Sequence, residues 1–209
     1  MSEAILELRD FTIRYSGGFA VGPVNGKLPC GLYHLRGENG CGKTSLMRGL
    51  CAELKAHRGA CLLAGEDLWS TPSARARVGY LPARSDQPEF LTVEEAWRLH
   101  AVMRGAPGWD GHARAEALGL PPKLMLSHAS SGQRRRAELV CALAGDPQLL
   151  LLDEPFANLD VDGVTLLAGW LEELREDAVI ILTHHGEPPN TPDQSWTVAP
   201  NRPLEWTLG

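Results

Sequence analysis

Apolar positions along this chain repeat with two periods, and the switches between them mark out its elements. Residues 5–15 alternate loosely and are rich in β-formers, which predicts a strand. Gly31-Leu-Tyr-His-Leu-Arg36 is a short apolar strand running straight into a glycine-rich turn. Over 43–54, Leu46, Met47, Leu50 and Leu54 recur at helical spacing, as in a helix packed on a sheet. Residues 60–82 read as further strands and turns, ending on the apolar Val78-Gly-Tyr-Leu-Pro82. From Thr92 to Gly145 the texture becomes helical, punctuated by Gly105, by Pro107 to Gly111 and by Pro121-Pro122. Two wholly aliphatic runs, Leu149–Leu152 and Val179–Leu182, then flank a helical stretch at 164–174. Apolar strands alternating with helices are the mark of a parallel sheet covered on both faces. Short strand-like pieces at 196–199 and 204–208 close a tail rich in Pro and Thr. The pattern predicts an α/β core interrupted by a helical subdomain over 84–146.

Composition narrows the classes. A chain of 209 residues suffices for one α/β domain with a substantial core. Its net charge of −6 argues against a generally basic nucleic-acid binder, and no nucleic acid is expected as a partner. A membrane span needs about 20 apolar residues, far more than either aliphatic run offers. The start, Met1-Ser2-Glu3-Ala4, lacks the basic-then-apolar layout of an export signal, so nothing directs export. Cys30, Cys41, Cys51, Cys61 and Cys141 are an odd set without Cys-x-x-Cys spacing. That predicts free thiols in a reducing cytosol, neither a disulfide framework nor a zinc site.

The candidate chemistry begins at Gly37-Glu-Asn-Gly-Cys-Gly-Lys43-Thr44, which satisfies G-x-x-x-x-G-K-[ST] between a predicted strand and a predicted helix. Glycines let the backbone curl so that several N–H groups aim at phosphate oxygens, and the helix start adds its positive dipole end. Gly37, Asn39, Gly40, Cys41, Gly42, Lys43, Thr44 and Ser45 are therefore the expected phosphate-binding residues of ATP, a P-loop. Lys43 can reach the β- and γ-phosphates, and the Thr44 hydroxyl can ligate Mg²⁺. In Leu149-Leu-Leu-Leu152-Asp153-Glu154 an aliphatic strand ends in a carboxylate, which puts Asp153 at the sheet's carboxyl edge as a second Mg²⁺ ligand. Glu154 follows where the chain leaves the sheet, placed to polarise an attacking water.

With these motifs in this order, nearly the whole chain resembles the ABC ATPase family. The family signature, usually Leu-Ser-Gly-Gly-Gln, corresponds to Ala129-Ser130-Ser131-Gly132-Gln133, which reads physically as a capped helix start. The resemblance implies that Ser130, Ser131, Gly132 and Gln133 contact ATP held by the opposite protomer of a dimer. It implies a D-loop at Ala157-Asn158-Leu159-Asp160 with Asp160 at the dimer contact, and an adenine-stacking role for Tyr15. It places the switch histidine at His184, with adjacent His185 the alternative by a shift of one residue. With Lys43 and Glu154, His184 completes the expected catalytic set. The fold implied is a single P-loop NTPase domain with a mostly parallel sheet, N-terminal antiparallel strands and the inserted helical subdomain. The function implied is an ATPase subunit, peripheral at the cytoplasmic membrane face, that drives a separate membrane-spanning permease, with export as the direction. The segment from Asp153 to Val164 is particularly similar to the haem-exporter ATPase of cytochrome c maturation. The rival readings are a soluble ABC ATPase, as in iron–sulfur assembly, and a regulatory subunit with little turnover.

The chain also departs from the family. The Q-loop glutamine expected after 78–82 is replaced by Ala83, leaving Gln87, four residues on, as the candidate substitute. Arg134-Arg135-Arg136 reads as a solvated helix face. Trp97 and Leu99, within Leu91 to Leu99, are candidate anchors for a helix of the permease, or else packing for the subdomain's own core.

Overall fold

In the computed structural model, which describes residues 5–84, 87–199 and 204–206, alternation and unbroken apolarity sort the strands into two sheets. The residues read for an export signal, 1–4, lie outside the described ones. In β1 (Leu6–Arg14) the inward residues are Leu6 and Leu8, then Phe11 and Ile13. The change of parity is absorbed by a register shift between Leu8 and Phe11, where Asp10 takes φ 47°. An extra residue there lets both halves of the strand keep their apolar face on the core.

β1 pairs antiparallel with β2 (Ala20–Leu28) and with β4 (Arg58–Leu63). The edge strands β5 (Glu66–Asp67) and β10 (Leu204–Trp206) complete the order β10-β2-β1-β4-β5. β2 has no counterpart in the sequence reading, because Gly22, Pro23 and Gly26 interrupt any period; the ladder offered by β1 recruits it all the same. The expected piece at 204–208 is a strand over Leu204–Trp206, and residues 207–208 lie outside the described ones.

The second sheet joins β3 (Gly31–Arg36), β6 (Val78–Leu81), β7 (Leu149–Leu152), β8 (Val179–Leu182) and β9 (Gln194–Thr197) in the order β6-β7-β8-β3-β9, every pairing parallel. All residues of β7 and β8 are buried. Leu149 and Leu151 face a core shared with the first sheet and α1 (Lys43–Leu50), whereas Leu150 and Leu152 face a core under the helices. α1 ends four residues short of the expected Leu54, at a turn where Ala52 has φ 59°.

Beyond the short α2 (Pro72–Arg75) and β6, the chain builds α3 (Val93–Met103), α4 (His112–Ala117) and α5 (Ser131–Leu143) before returning as β7. A reciprocal capping box sets the start of α3: Glu95 N–H donates to Thr92 Oγ1 at 3.2 Å, and Thr92 N–H to Glu95 Oε2 at 2.8 Å. Trp97 is fully buried in the helical core, edge-on to His112 at 5.0 Å, so it packs the subdomain and offers no anchor. Leu99 is exposed, together with Phe90, Val102 and Met103. α6 (Val161–Leu174) starts three residues before the expected 164 because Asp160 Oδ1 accepts from Gly163 N–H at 2.9 Å as its N-cap. The five cysteines are unpaired, and no helix among the described residues is long and apolar enough to cross a membrane.

α5 lies directly on β6. A Cβ added at Gly79 would stand 2.2 Å from the Ala142 carbonyl oxygen, so only glycine permits the approach. The same end of α5 is closed by Arg104, whose Nη1 donates to the carbonyls of Cys141, Ala142 and Ala144 at 3.0, 2.9 and 2.7 Å. Burial lowers the guanidinium's pKa to about 10. Arg104→Met keeps the stem and removes the donors: the Cys141 carbonyl retains the Ala144 N–H, while those of Ala142 and Ala144 lose the guanidinium. Urea unfolding is expected to show a loss of about 2 kcal/mol with an unchanged m-value; a midpoint equal to wild type would refute this capping role.

Candidate nucleotide site

β3 ends at Arg36 and α1 begins at Lys43; the turn between them is shaped by glycine. Gly42, the N-cap of α1, has φ 111°, and a Cβ there would lie 2.2 Å from Val21 Cγ2. Only glycine can hold the left-handed bend that turns the first amides of α1 outward. Lys43 folds over the loop, its ammonium donating to the carbonyls of Gly37 at 2.7 Å and Glu38 at 3.0 Å. A cavity of about 260 Å³ opens above, bounded by Asn39, Gly40, Gly42, Lys43, Thr44 and Ser45. Asp153, Glu154, Ala83 and His185 close its far side. Gly37 and Cys41 stand behind the loop, with Cys41 6% exposed and its thiol packed beneath Gly37.

Asp153 joins the loop to the sheet. The carboxylate is 3% exposed, yet each oxygen has a hydroxyl: Thr44 Oγ1 donates to Oδ2 at 2.6 Å, and Thr183 Oγ1 to Oδ1 at 2.7 Å. Thr44 and Asp153 thus offer adjacent hard oxygens, the donor type Mg²⁺ takes alongside phosphates and water. Among the described residues there is no group of three or more His, Cys, Asp or Glu that could hold a metal ion. Glu154 sits at φ 54°, and its N–H donates to Thr183 Oγ1 at 2.9 Å. Thr183 therefore serves both carboxylate residues, a role that the sequence signals only by its place at the end of β8.

Both histidines flank Glu154. His184 Nδ1 lies 3.9 Å from Glu154 Oε2, and His185 Nε2 lies 3.7 Å from Oε1. The His184 ring packs edge-on against Phe156 at 5.4 Å, whereas His185 is 70% exposed and borders the cavity. The His184 carbonyl is held by His34 Nε2 at 3.2 Å. Burial pulls the His34 imidazole below its ordinary pKa.

The remaining expected residues divide. Tyr15 is half-exposed and hydrogen-bonds Ser45 Oγ at 3.0 Å, with its ring 6.1 Å from that of Phe19. Phe19, which the sequence reading passed over, borders the cavity itself; an aromatic between two strand segments was the available signal. Ser130 and Gln133 engage one another in a capping box at 2.9 and 3.2 Å, leaving Ser131 and Gly132 at the open first turn of α5. None of these four residues borders the Lys43 cavity. Asp160 caps α6 and lies 3.6 Å from Arg136 Nη2.

Two expectations are corrected. Gln87 does not substitute at the site: its amide is engaged with His100 Nε2 at 3.0 Å, while Ala83 occupies the cavity wall. The arginine run is not a solvated face. Arg135 is buried, Arg134 is paired with Glu89 at 2.6 Å, and Arg136 donates to the Leu118 carbonyl at 2.9 Å.

A family model described as "ABC transporter" matches residues 22–157, from within β2 to Ala157. The chain belongs to the ABC transporter family. The matched segment contains the phosphate loop, the start of α5 and both carboxylates. The ABC chain is 32% identical over 196 residues to the sulfate/thiosulfate import ATP-binding protein CysA of Bordetella pertussis, aligning 87% of itself with 55% of that protein. It is 31% identical over 195 residues to the "Probable multidrug ABC transporter ATP-binding protein YbhF" of Escherichia coli, aligning 87% of itself with 33% of that protein. It therefore spans about half the length of the first relative and a third of the second. Among solved structures, one titled "Structure of ATP binding subunit of ABC transporter" superposes with a TM-score of 0.81 at 25% identity, covering 93% of this chain and 86% of that one. The fold is that of an ABC ATPase domain.

Thr183→Val keeps the side-chain shape but removes a donor to Asp153 and an acceptor from Glu154. The ABC domain is expected to lose about 2–3 kcal/mol in urea unfolding. A loss under about 0.5 kcal/mol would mean that the hydroxyl does not hold the two carboxylate residues.

Proposed function

We propose that this ABC domain binds ATP with Mg²⁺ on the phosphate loop, hydrolyses it, and works as a dimer that drives a membrane-spanning permease. The observation that carries the proposal is the meeting of Lys43, Thr44, Asp153 and Glu154 around one cavity, with Thr183 fixing both carboxylate residues. Bound Mg²⁺ would be held by Thr44 and Asp153, and supplies neutralisation of charge on the phosphates. The Lys43 ammonium exchanges its two carbonyls for phosphate oxygens. Glu154 takes a proton from the attacking water, with His184 or His185 beside it. Tyr15 and Phe19 offer aromatic faces at the adenine end.

The first turn of α5 has open N–H groups and does not border its own chain's Lys43 cavity. That placement supports a role for Ser131 and Gly132 against the ATP of a second protomer, with Asp160 nearby. Phe90, Leu99, Val102 and Met103 form an exposed apolar surface on and before α3, suited to a helix of the permease. The protein would then sit at the cytoplasmic membrane face through that partner. Export is proposed on the likeness of 153–164 to haem-exporter ATPases. The relatives include an import protein by name, so uptake and efflux should both be assayed.

Lys43→Ala is expected to lower ATP hydrolysis at least about 100-fold in a phosphate-release assay. Glu154→Gln should retain Mg-ATP binding, stall hydrolysis and accumulate as a dimer on size exclusion. Full turnover by either variant would overturn the site. Because Gln87 is engaged with His100, Gln87→Ala should hydrolyse ATP within about twofold of wild type; a larger loss would restore it to the site.

A further inference from the structure

We propose that Arg135 is a positioning residue for hydrolysis: from α5, its guanidinium holds the peptide that aims Glu154 into the cavity. The inference rests on the hydrolytic reading above and adds a residue to it. Arg135 has 7% side-chain exposure and spreads its donors over three chain segments. Nη2 donates to the carbonyls of Asp153 at 2.5 Å and Glu154 at 3.0 Å. Nη1 donates to the Pro82 carbonyl and, at 3.2 Å, to Glu138 Oε2 one helical turn along.

A buried ion pair is a poor source of stability, since two well-packed apolar side chains usually do as well. What Arg135 adds is a planar fork of fixed geometry. The fork lies where the backbone most needs holding. Glu154 has φ 54°, a left-handed conformation costing a residue with a Cβ about 1–2 kcal/mol, and such strain persists only where the surroundings impose it. Here both sides of the peptide are gripped: the Glu154 N–H by Thr183, its carbonyl by Arg135. Without the fork, Glu154 can relax to negative φ and carry its carboxylate off line.

The same side chain ties the site to α5. Ser130 to Gln133 open that helix, and Arg135 follows in its next turn, so a shift of the helix start reaches the Glu154 peptide through one rigid group. Pro82, the third segment held, precedes Ala83, which has no polar side chain with which to make such a link.

The test uses the intact chain with Arg135→Met, which keeps the stem, and Arg135→Lys, which keeps one cation without the fork. Three quantities are read: kcat, equilibrium binding of a fluorescent ATP analogue with Mg²⁺, and amide exchange across 150–158. Arg135→Met is expected to bind nucleotide within about twofold of wild type, lower kcat about 10- to 100-fold and speed exchange at 154–157. Arg135→Lys should recover part of kcat. Unchanged kcat in a folded variant, parallel loss of binding and turnover, or unchanged exchange would each overturn the proposal. So would failure of both variants to fold, which would assign Arg135 to the core. A wild type that binds nucleotide without hydrolysing it would instead defeat the hydrolytic reading, and the exchange measurement would still decide whether the clamp exists.

Discussion

Four leucines lead the chain through the centre of a parallel sheet and deliver it to a carboxylate with 3% exposure. A buried charge without partners costs several kcal/mol. Asp153 can therefore stand there only because Thr44 arrives from α1 and Thr183 from the end of β8. Hydrogen bonds to a charged acceptor contribute about 1.5–3 kcal/mol each, so the two together draw three segments to one point. The strand order puts β3, and with it the phosphate loop, two places from β7 with β8 between. In an open α/β sheet that carboxyl edge is where ligands bind. The site is thus not added to a finished fold, because satisfying Asp153 and closing the loop against the sheet are the same event.

α5 is the second organising element, fastened along its length by arginine on backbone oxygen. Arg104 closes its C-terminal end, Arg136 reaches the Leu118 carbonyl, and Arg135 grips Pro82, Asp153 and Glu154. Such contacts satisfy carbonyls that helix ends and strand exits leave without partners. Arg104 and Arg136 tie α5 to the ends of α3 and α4, and Arg135 alone ties it to the strand exits of the sheet. α5 rests on β6, with Gly79 allowing contact at backbone distance.

Much of this was legible in the chain. Wholly aliphatic runs can be strands only where both faces are covered, so β7 and β8 were placed with the right bounds. The tight turn between β3 and α1 was legible because its glycines are demanded by backbone geometry, as Gly42 shows against Val21. What failed depended on partners distant in sequence. β2 carries Gly22, Pro23 and Gly26 and becomes a strand only through the ladder of β1. Arg135 reads as polar surface until the carbonyls of residues 82, 153 and 154 are seen around it. Gln87 was plausible by spacing alone, and only the position of His100 removes it from the site. Trp97 and Leu99, two residues apart on α3, lie on different faces of a helix. One is therefore core and the other surface, as helical geometry requires.

The two histidines after β8 show how far adjacency can mislead. Both rings lie within 4 Å of the Glu154 carboxylate, beyond the end of β8, so a motif that fixes the pair cannot say which ring enters the cavity. The structure gives them unequal support. Arg36 Nε donates to His34 Nδ1 at 3.2 Å, so His34 carries its proton on Nε2 and donates it to the His184 carbonyl. Arg36 is in turn paired with Glu187 at 2.5 Å. The backbone of His184 is therefore tied into β3, and its ring leans on Phe156. His185 has no comparable anchor and keeps 70% of its side chain exposed at the cavity's edge. One ring is packed beside Glu154 and the other stands exposed at the mouth of the cavity.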